Sequence, residues 1–380
     1  MEITASNSKR LVIVSGRAHQ ELAEEVATLL NTSLVPTTAY DFANGETFVR
    51  YEESVRGVDA FVIQSHAAGI NNWVMEQLLM VDAMKRSSAK RITVVAPFFP
   101  YARQDKKHKG REPISARLMT DLFKASGANR LMSVDLHTPQ IQGFFDGPVD
   151  HLWALPMLAD HVKERFGHED ITVVSPDSGR VRVADIWADR LGAPLAIIHK
   201  RRDPDRPNQV EAHELVGDVK GRTCLLVDDM IDTAGTIVAA AEALKANGAG
   251  RVIVAATHAV FSPPAVARLS SGAVDEVIVT NTLPITADKQ FANLTVLSIA
   301  PLIAAAIKPS VRLCVIEVTS AEAKAPASSW PSIAMFTTPT RSDSTPANAP
   351  KISGTASASE PCRVVVIGNI CPTNITIRIC

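Results

Sequence analysis

The stretch Val227-Asp228-Asp229-Met230-Ile231-Asp232-Thr233-Ala234-Gly235-Thr236 follows the apolar run Cys224-Leu225-Leu226-Val227 and precedes an Ala-rich helical pattern that begins near Ile237. A strand, a polar turn and a helix in this order place backbone N–H groups at a helix N-terminus, where they and the helix dipole can hold a phosphate. The carboxylates of Asp228 and Asp229 can accept hydrogen bonds from two adjacent sugar hydroxyls. The stretch therefore predicts a cradle for a phosphorylated sugar. The alternative is an ordinary turn whose side chains only cap the helix.

Length, charge and cysteine content limit the kinds of protein that fit. A chain of 380 residues allows two domains and a tail. A net charge of −1 argues against a nucleic-acid or membrane-seeking surface. The longest apolar run, near residues 299–307, is too short to span a bilayer. Cys224 stands alone among the cysteines of the first 300 residues, which is typical of a reducing compartment. We therefore expect a cytoplasmic protein that binds neither nucleic acid nor membranes.

Short apolar runs alternate with helical patterns over the first 300 residues. This alternation predicts an α/β fold with mainly parallel sheets flanked by helices. The predicted strands are 11–14, 60–64, 91–96, 131–134, 171–174, 195–198, 224–227, 252–255, 277–280 and 294–297. The predicted helices are 20–30, 71–86, 118–125, 183–191 and 237–247. For the helix 71–86 we expect an apolar face made of Trp73, Met75, Leu78, Leu79 and Met84.

The two halves of the chain have similar patterns. The strand–helix–strand unit from 60 to 96 has nearly the spacing of the unit from 224 to 255, and each is followed by a strand that ends in a polar turn with Pro. We therefore predict tandem α/β domains over residues 1–155 and 156–306. Ligands should bind at the carboxyl ends of the strands, where the polar clusters of this sequence fall.

Six motifs in the chain, in a fixed order, resemble a known enzyme family. They are Phe-Ala-Asn-Gly-Glu (42–46), Tyr-Ala-Arg-Gln-Asp (101–105), Ser-Val-Asp-Leu-His (133–137), Val-Ser-Pro-Asp-Ser-Gly (174–179), His-Lys-Arg-Arg (199–202) and the cradle. Over about residues 9–306 the chain resembles the bacterial, phosphate-dependent ribose-phosphate diphosphokinases. The resemblance implies two phosphoribosyltransferase-like domains. It also implies transfer of the diphosphoryl group of ATP to the C1 hydroxyl of ribose 5-phosphate, giving phosphoribosyl pyrophosphate and AMP for nucleotide biosynthesis.

The resemblance also implies the positions of the nucleotide and sugar sites. One loop, reaching in from a neighbouring subunit, would contact the adenine through Phe42, Asn44, Gly45 and Glu46. Arg103 and Gln104 would bind ATP as well. Without the resemblance, Asn44-Gly45 would be a plain turn and the segment around Arg103 a solvated run of charge. The ribose 5-phosphate site would consist of Arg202, Asp228, Asp229, Asp232, Thr233, Ala234, Gly235 and Thr236.

Metal and catalytic residues follow from the same resemblance. His137 and Asp177 resemble the Mg²⁺ ligands, although a lone His after a strand is more often structural. One His and one Asp are a sparse set for Mg²⁺, so phosphates and waters must complete the shell. Lys200 and Arg202 resemble a catalytic pair of cations on a mobile loop, where they would stabilise charge that develops on the phosphates. The alternative is a solvated basic loop.

The resemblance ends near Ile307. Residues 307–380 are rich in Ser, Thr, Pro and Ala and have little periodicity, which is typical of a disordered appendage or of frameshifted sequence. The resemblance implies a homohexamer with phosphate as activator and ADP as inhibitor, and this tail puts both assembly and control in question. A non-catalytic regulatory homologue and a phosphoribosyltransferase are the competing functions. An uninterrupted Lys200–Asp203 argues against the first, and the ATP motifs against the second.

Overall fold

The apolar runs of the first half form a parallel sheet of five strands. The computed structural model describes residues 11–177, 179–201 and 212–308, without the side chains of 199–201 and 212–214. The sheet has the order β1-β4-β5-β6-β7, and all of its neighbouring strands run parallel. Its strands are β1 (Leu11–Ser15), β4 (Asp59–Ile63), β5 (Arg91–Ala96), β6 (Arg130–Val134) and β7 (Val149–Leu152). Nearly continuous apolar strands indicate burial on both faces.

A larger sheet follows in the second half of the chain. Its order is β10-β9-β8-β11-β12-β13-β14, and only the edge pair β10–β9 is antiparallel within it. The strands are β8 (Ile171–Ser175), β9 (Leu195–Arg201), β10 (Ala212–Val216), β11 (Thr223–Ile231), β12 (Arg251–Ala259), β13 (Glu276–Thr280) and β14 (Leu294–Leu297). The prediction of mainly parallel sheets is confirmed.

Helices cover both faces of each sheet. They are α1 (Gln20–Leu29), α2 (Ile70–Arg86), α3 (Ser115–Ser126), α4 (Leu155–Phe166), α5 (Val181–Leu191), α6 (Gly235–Ala246), α7 (Ala265–Leu269) and α8 (Ala300–Ile307). One buried cluster contains side chains from both sheets, including Ile13 and Val95 from the first and Leu225 and Ile253 from the second. Residues of α1, α4, α5 and α8 belong to this same cluster. The two sheets therefore share one core, and the carboxyl ends of their strands are held in a fixed relation.

A small antiparallel hairpin projects from the first half. It consists of β2 (Thr37–Asp41) and β3 (Thr47–Tyr51), which pair with each other in a two-stranded sheet. The sequence signalled only the turn at Asn44-Gly45. Its flanks combine aromatic, Thr and charged residues without a clean alternation, so the strands were missed.

Most predicted elements lie within two residues of their predicted ends. However, β9, β11 and β12 continue three or four residues past theirs, α3 begins three residues earlier, and the apolar face of α2 was partly misassigned. Met75 is 52% exposed, whereas the neighbouring polar residues Glu76 and Gln77 are fully buried. The strand expected to end at Val227 continues to Ile231, because Asp228 still pairs in register with Ala256 of β12. The domain limits at 155 and 306 stay predictions, and residues 309–380 lie outside the described part. None of the described helices has the length and apolarity to cross a membrane.

Candidate active site

Loops at the carboxyl ends of strands from both sheets enclose a cavity of about 670 Å³. The segments that line it follow β4, β5, β12 and β13, which is the edge at which parallel sheets bind ligands. Its lining includes residues 66–70, 98, 101–104, 260–267, 283, 288 and 289. Arg103 and Gln104, which were predicted to bind ATP, are both among these residues. The structure thus places the predicted nucleotide pair at the mouth of a cavity large enough for a nucleoside.

An ion pair connects this cavity to the predicted sugar-phosphate cradle. Arg103 Nη1 lies 2.7 Å from Asp232 Oδ2. Burial raises the pKa of Asp232, but hydrogen bonding to Ser262 and Arg103 offsets this effect and holds the pKa below its ordinary value. Arg103 and Asp232 are separated by 129 positions in the chain, and no local pattern indicates that they meet. The predicted ATP and ribose 5-phosphate sites are therefore adjacent.

The cradle itself is the turn between β11 and α6. Ala234 has a positive φ of 60°, and α6 begins directly after it at Gly235, two residues earlier than predicted. Arg268 donates to the carbonyl oxygen of Thr233 at 2.9 Å and holds the turn from outside. The first backbone N–H groups of a helix have no partner inside it, and they carry partial positive charge. Asp232 to Thr236 therefore form a turn suited to an anion.

Asp228 and Asp229 lie on the last part of β11, beside a cation that the sequence analysis did not assign. Arg180 precedes α5, and its guanidinium contacts both carboxylates, with Nε 3.1 Å from Asp228 Oδ1 and Nη2 2.6 Å from Asp229 Oδ1. The same Nη2 lies 2.8 Å from His137 Nδ1, and that ring nitrogen lies 2.7 Å from Asp229 Oδ2. The structure thus brings together residues from two predicted motifs around one guanidinium.

The two adjacent carboxylates have opposite shifts in pKa. Burial and the negative charge of Asp229 raise the pKa of Asp228 well above its ordinary value. Burial also raises the pKa of Asp229, but the His137 hydrogen bond and the Arg180 charge outweigh it and lower the pKa to about 2. Asp229 is therefore the member of the pair that keeps its negative charge. Without a ligand, a proton is held more readily on Asp228.

The predicted metal ligands His137 and Asp177 both contact Arg180. The guanidinium donates to the carbonyl oxygen of His137 at 3.3 Å, and Asp177 Oδ1 accepts from the backbone N–H groups of Gly179 and Arg180. In the tautomer in which His137 donates its Nδ1–H to Asp229, Nε2 carries a lone pair that can bind a cation. This arrangement is common around metal-binding histidines. In the described part of the chain, no three His, Cys, Asp or Glu side chains cluster as a metal site.

Asp135, in the same motif as His137, connects the two sheets. Its Oδ2 accepts from Thr257 Oγ1 at 2.5 Å, and its carbonyl oxygen lies 3.1 Å from His258 Nε2 on β12. Its carboxylate also accepts from the backbone N–H of Ala154 at 3.2 Å. Burial raises the pKa of Asp135 to about 6. The sequence analysis quoted this motif for its histidine alone, yet Asp135 holds β6 and β12 together beneath the site.

The predicted adenine-contact loop forms the tip of the hairpin. Asn44 Oδ1 accepts from the backbone N–H of Glu46 at 3.2 Å, and Gly45 has a φ of 89°, so this pair does form a turn. Phe42 is 46% exposed, and its ring lies 5.3 Å from that of Tyr40. Among the described residues that line the cavity, none belongs to this loop.

The predicted catalytic pair is only partly described. The backbone of Lys200 lies in β9 and pairs with His213 of β10. The expectation that Lys200 belongs to a loop is therefore wrong for its backbone. Its side chain, and the whole of Arg202, lie outside the described residues.

Arg180 is the site residue that the sequence analysis missed. The motif Val174–Gly179 ends one residue before it, so the residues quoted for that motif did not include Arg180. Arg180 could have been found from the number of acidic residues that the sequence places at the carboxyl ends of the strands. Asp177, Asp228 and Asp229 all follow apolar strand runs, and buried carboxylates require a cation nearby.

Comparisons with known proteins cover most of the described chain. Residues 11–127 match the family described as the N-terminal domain of ribose phosphate pyrophosphokinase, and residues 206–313 match the phosphoribosyl synthetase-associated domain. The ribose-phosphate pyrophosphokinase of Streptomyces coelicolor is 64% identical over 306 residues, which are 80% of this chain and 94% of that protein. The enzyme of that name from Mycobacterium tuberculosis is 61% identical over 303 residues, covering 80% and 93%.

A solved structure is similar over the same region. It is the crystal structure of phosphoribosylpyrophosphate synthetase from Mycobacterium smegmatis, which is 62% identical in sequence. The match has a TM-score of 0.75 and covers 78% of this chain and 97% of that one. The similarity therefore extends over nearly the whole of the solved chain, including both sheets described above.

Proposed function

Because the chain belongs to the ribose-phosphate pyrophosphokinase family, we propose that it transfers the diphosphoryl group of ATP to the C1 hydroxyl of ribose 5-phosphate. The products are phosphoribosyl pyrophosphate and AMP, which feed nucleotide biosynthesis. The observation that carries the proposal is the contact of Arg103 with Asp232, which makes a nucleotide-sized cavity adjacent to an anion-binding turn. Two substrates bound at these places would lie side by side, as a transfer between them requires.

Ribose 5-phosphate would bind along β11 and the start of α6. The 5-phosphate accepts hydrogen bonds from the backbone of Asp232 to Thr236, at the positive end of the helix dipole. Asp228 and Asp229 accept from the ribose hydroxyls, and Arg180 keeps Asp229 ionised for that role. Arg202 would contact the sugar phosphate as well.

ATP would bind in the cavity, with its phosphates directed toward the acceptor. Arg103 is positioned for the phosphates, and it must exchange Asp232 for them when ATP enters. Gln104 Oε1 accepts from Ser115 Oγ at 2.6 Å, which orients its amide at the cavity mouth. Phe42, Asn44, Gly45 and Glu46 of a neighbouring subunit would contact the adenine. Such a shared site fits a homo-oligomer, and we propose the family's hexamer.

Mg²⁺ would be held by His137 and Asp177 together with phosphates and waters. The ion supplies charge neutralisation and orientation of the phosphate oxygens. Lys200 and Arg202 add positive charge where negative charge develops on the departing AMP and on the transferring group, so they bind the transition state more strongly than the ground state. No described side chain is required as a general base in this scheme. Phosphate as activator, ADP as inhibitor and a cytoplasmic location also belong to the proposal.

Formation of AMP tests the proposal. The intact chain is incubated with ATP, ribose 5-phosphate, Mg²⁺ and inorganic phosphate, and AMP and phosphoribosyl pyrophosphate are measured by chromatography. We expect both products in equal amounts, and neither when ribose 5-phosphate is left out. A folded protein that binds ATP but forms no AMP would refute the proposal and favour the non-catalytic regulatory homologue. A phosphoribosyltransferase would consume phosphoribosyl pyrophosphate in the presence of a base instead.

A further inference from the structure

Glu76 is a fully buried carboxylate on α2, at a position outside the apolar face that the sequence pattern predicted for this helix. Its Oε1 accepts from the backbone N–H of Arg17 at 2.7 Å and from Gln64 Nε2 at 2.8 Å. Its Oε2 lies 2.5 Å from Arg17 Nε. A buried charge is tolerated when it is paired and hydrogen-bonded. Arg17, in the loop after β1, is the cation that pairs with it.

The same guanidinium reaches the hairpin. Arg17 Nη1 and Nη2 donate to the two carboxylate oxygens of Asp41 at 3.1 and 2.7 Å. The guanidinium also lies over the ring of Trp73, 5.9 Å from its centroid. A fork that binds two oxygens at once fixes orientation as well as distance. Arg17 therefore connects a fixed point in the core, Glu76, to the last residue of β2.

Asp41 stands where the predicted adenine-contact loop leaves the hairpin. Thr47, the first residue of β3, donates to Asp41 Oδ1 at 2.8 Å, so one carboxylate holds both sides of the loop. At the other end of the hairpin, Tyr51 donates its hydroxyl hydrogen to the carbonyl oxygen of Met80 at 2.8 Å. Two-stranded hairpins are only marginally stable alone. The position of residues 42–46 thus depends on the contact that Arg17 makes at Asp41.

We propose that Arg17 is a positioning residue that sets the affinity for ATP by holding the loop 42–46 in its binding geometry. This inference rests on the proposed function, in which that loop contacts the adenine of ATP in a neighbouring subunit. Glu76 binds the guanidinium in the core. Asp41 accepts its other hydrogen bonds at the surface, where the Asp41 side chain is 51% exposed. The outer contact can be removed while the inner pair stays intact. A substitution at Asp41 can therefore change the position of the loop without removing the buried Arg17–Glu76 pair.

The test removes the outer contact. Asp41→Ala leaves Arg17 paired with Glu76, so the fold is not at risk, and Asp41→Glu is the conservative variant that keeps a carboxylate. Asp82→Ala is the matched control, since it removes a surface carboxylate that pairs with Arg86 within α2 rather than with Arg17. Backbone hydrogen exchange of residues 42–46, the Kd for ATP by calorimetry, and the kinetic constants are measured on the intact chain.

We expect Asp41→Ala to speed exchange in the loop and to weaken ATP binding about fivefold, because preorganisation of the contact is lost. The KM for ribose 5-phosphate and kcat should stay within about twofold, since neither depends on the loop position in this account. Asp41→Glu should recover most of the affinity, and Asp82→Ala should match the wild type. Faster exchange with unchanged ATP affinity would overturn the inference, as would unchanged exchange. An absence of AMP formation in the wild type would refute the proposed function, while exchange and ATP calorimetry would still test Arg17.

Discussion

Replacing Arg180 by Ala tests whether its guanidinium is the counter-ion of the acid pair. The contacts of Arg180 with Asp228 and Asp229 are largely buried, with side-chain exposures of 18%, 18% and 10%. Removing one partner of a buried ion pair costs roughly 3–5 kcal/mol, because the remaining charge is left without compensation. His137 still contacts Asp229 in the variant, and Asp228 can take up a proton. We therefore expect the low end of that range, about 3 kcal/mol.

The effect of the substitution depends on pH, and its sign follows from the pKa values. In the wild type the pKa of Asp229 is lowered to about 2, so its ionised form adds stability that is present above the ordinary pKa and lost as the pH falls toward 2. Without Arg180 the folded-state pKa of both acids rises, because the guanidinium lowers both. The variant is then destabilised most where both acids should be ionised. We expect the loss to be largest at about pH 7.5 and clearly smaller at about pH 4.5.

Thermal unfolding in EDTA, without substrates, measures this effect free of any metal ion. For a unit the size of the predicted domain 156–306, a loss of about 3 kcal/mol lowers the Tm by roughly 6–12 °C. Arg190→Ala is the control, since Arg190 pairs with Asp160 at the surface, with side-chain exposures of 40% and 64%. Its removal should cost less than about 1 kcal/mol at either pH. Equal effects of the two substitutions, or a loss at Arg180 that does not vary with pH, would refute the reasoning.

Three further predictions concern the reaction and the assembly. Lys200→Ala should lower kcat more than about tenfold with little change in the KM for ribose 5-phosphate, and a loss of binding at unchanged turnover would contradict the role given to this residue. Ala234→Gly should keep the KM for ribose 5-phosphate, whereas Ala234→Val, β-branched at a φ of 60°, should raise it more than about tenfold; equal KM values would argue against a cradle at this turn. At an ATP concentration at which neither variant is active alone, Phe42→Ala and Lys200→Ala subunits refolded together should regain activity at about a quarter of their sites, and a mixture that stays inactive would show that loop 42–46 does not serve a neighbour.

The alternation of strands and helices was predictable because it depends on local periodicity. The runs at Leu11–Ser15, Arg91–Ala96 and Glu276–Thr280 are short, apolar and bounded by polar turns, and each forms a strand within one residue of its predicted ends. The turn between β11 and α6 was predictable for a similar reason. Its Asp, Thr and Gly residues are adjacent in sequence, so their arrangement at the start of α6 is fixed by the chain itself.

Other features required knowledge of which elements pack together. The pattern of α2 placed Met75 in the core, yet the structure exposes Met75 and buries Glu76, because Arg17 on a neighbouring loop supplies the charge that a buried carboxylate requires. Periodicity measures apolar spacing and carries no information about a partner 59 positions away. The strands of the hairpin, β2 and β3, were missed because their aromatic, Thr and charged residues do not alternate cleanly.

By itself, the sequence determined the α/β fold, the order of the strands along the chain and the candidate residues of each motif. Only the tertiary structure decided how those motifs meet: Arg180 against Asp228 and Asp229, Arg103 against Asp232, and Arg17 between Glu76 and Asp41. Every one of these contacts joins residues at least 24 positions apart. Electrostatic attraction depends on distance in space, and that distance is set by the packing of the two sheets rather than by spacing along the chain.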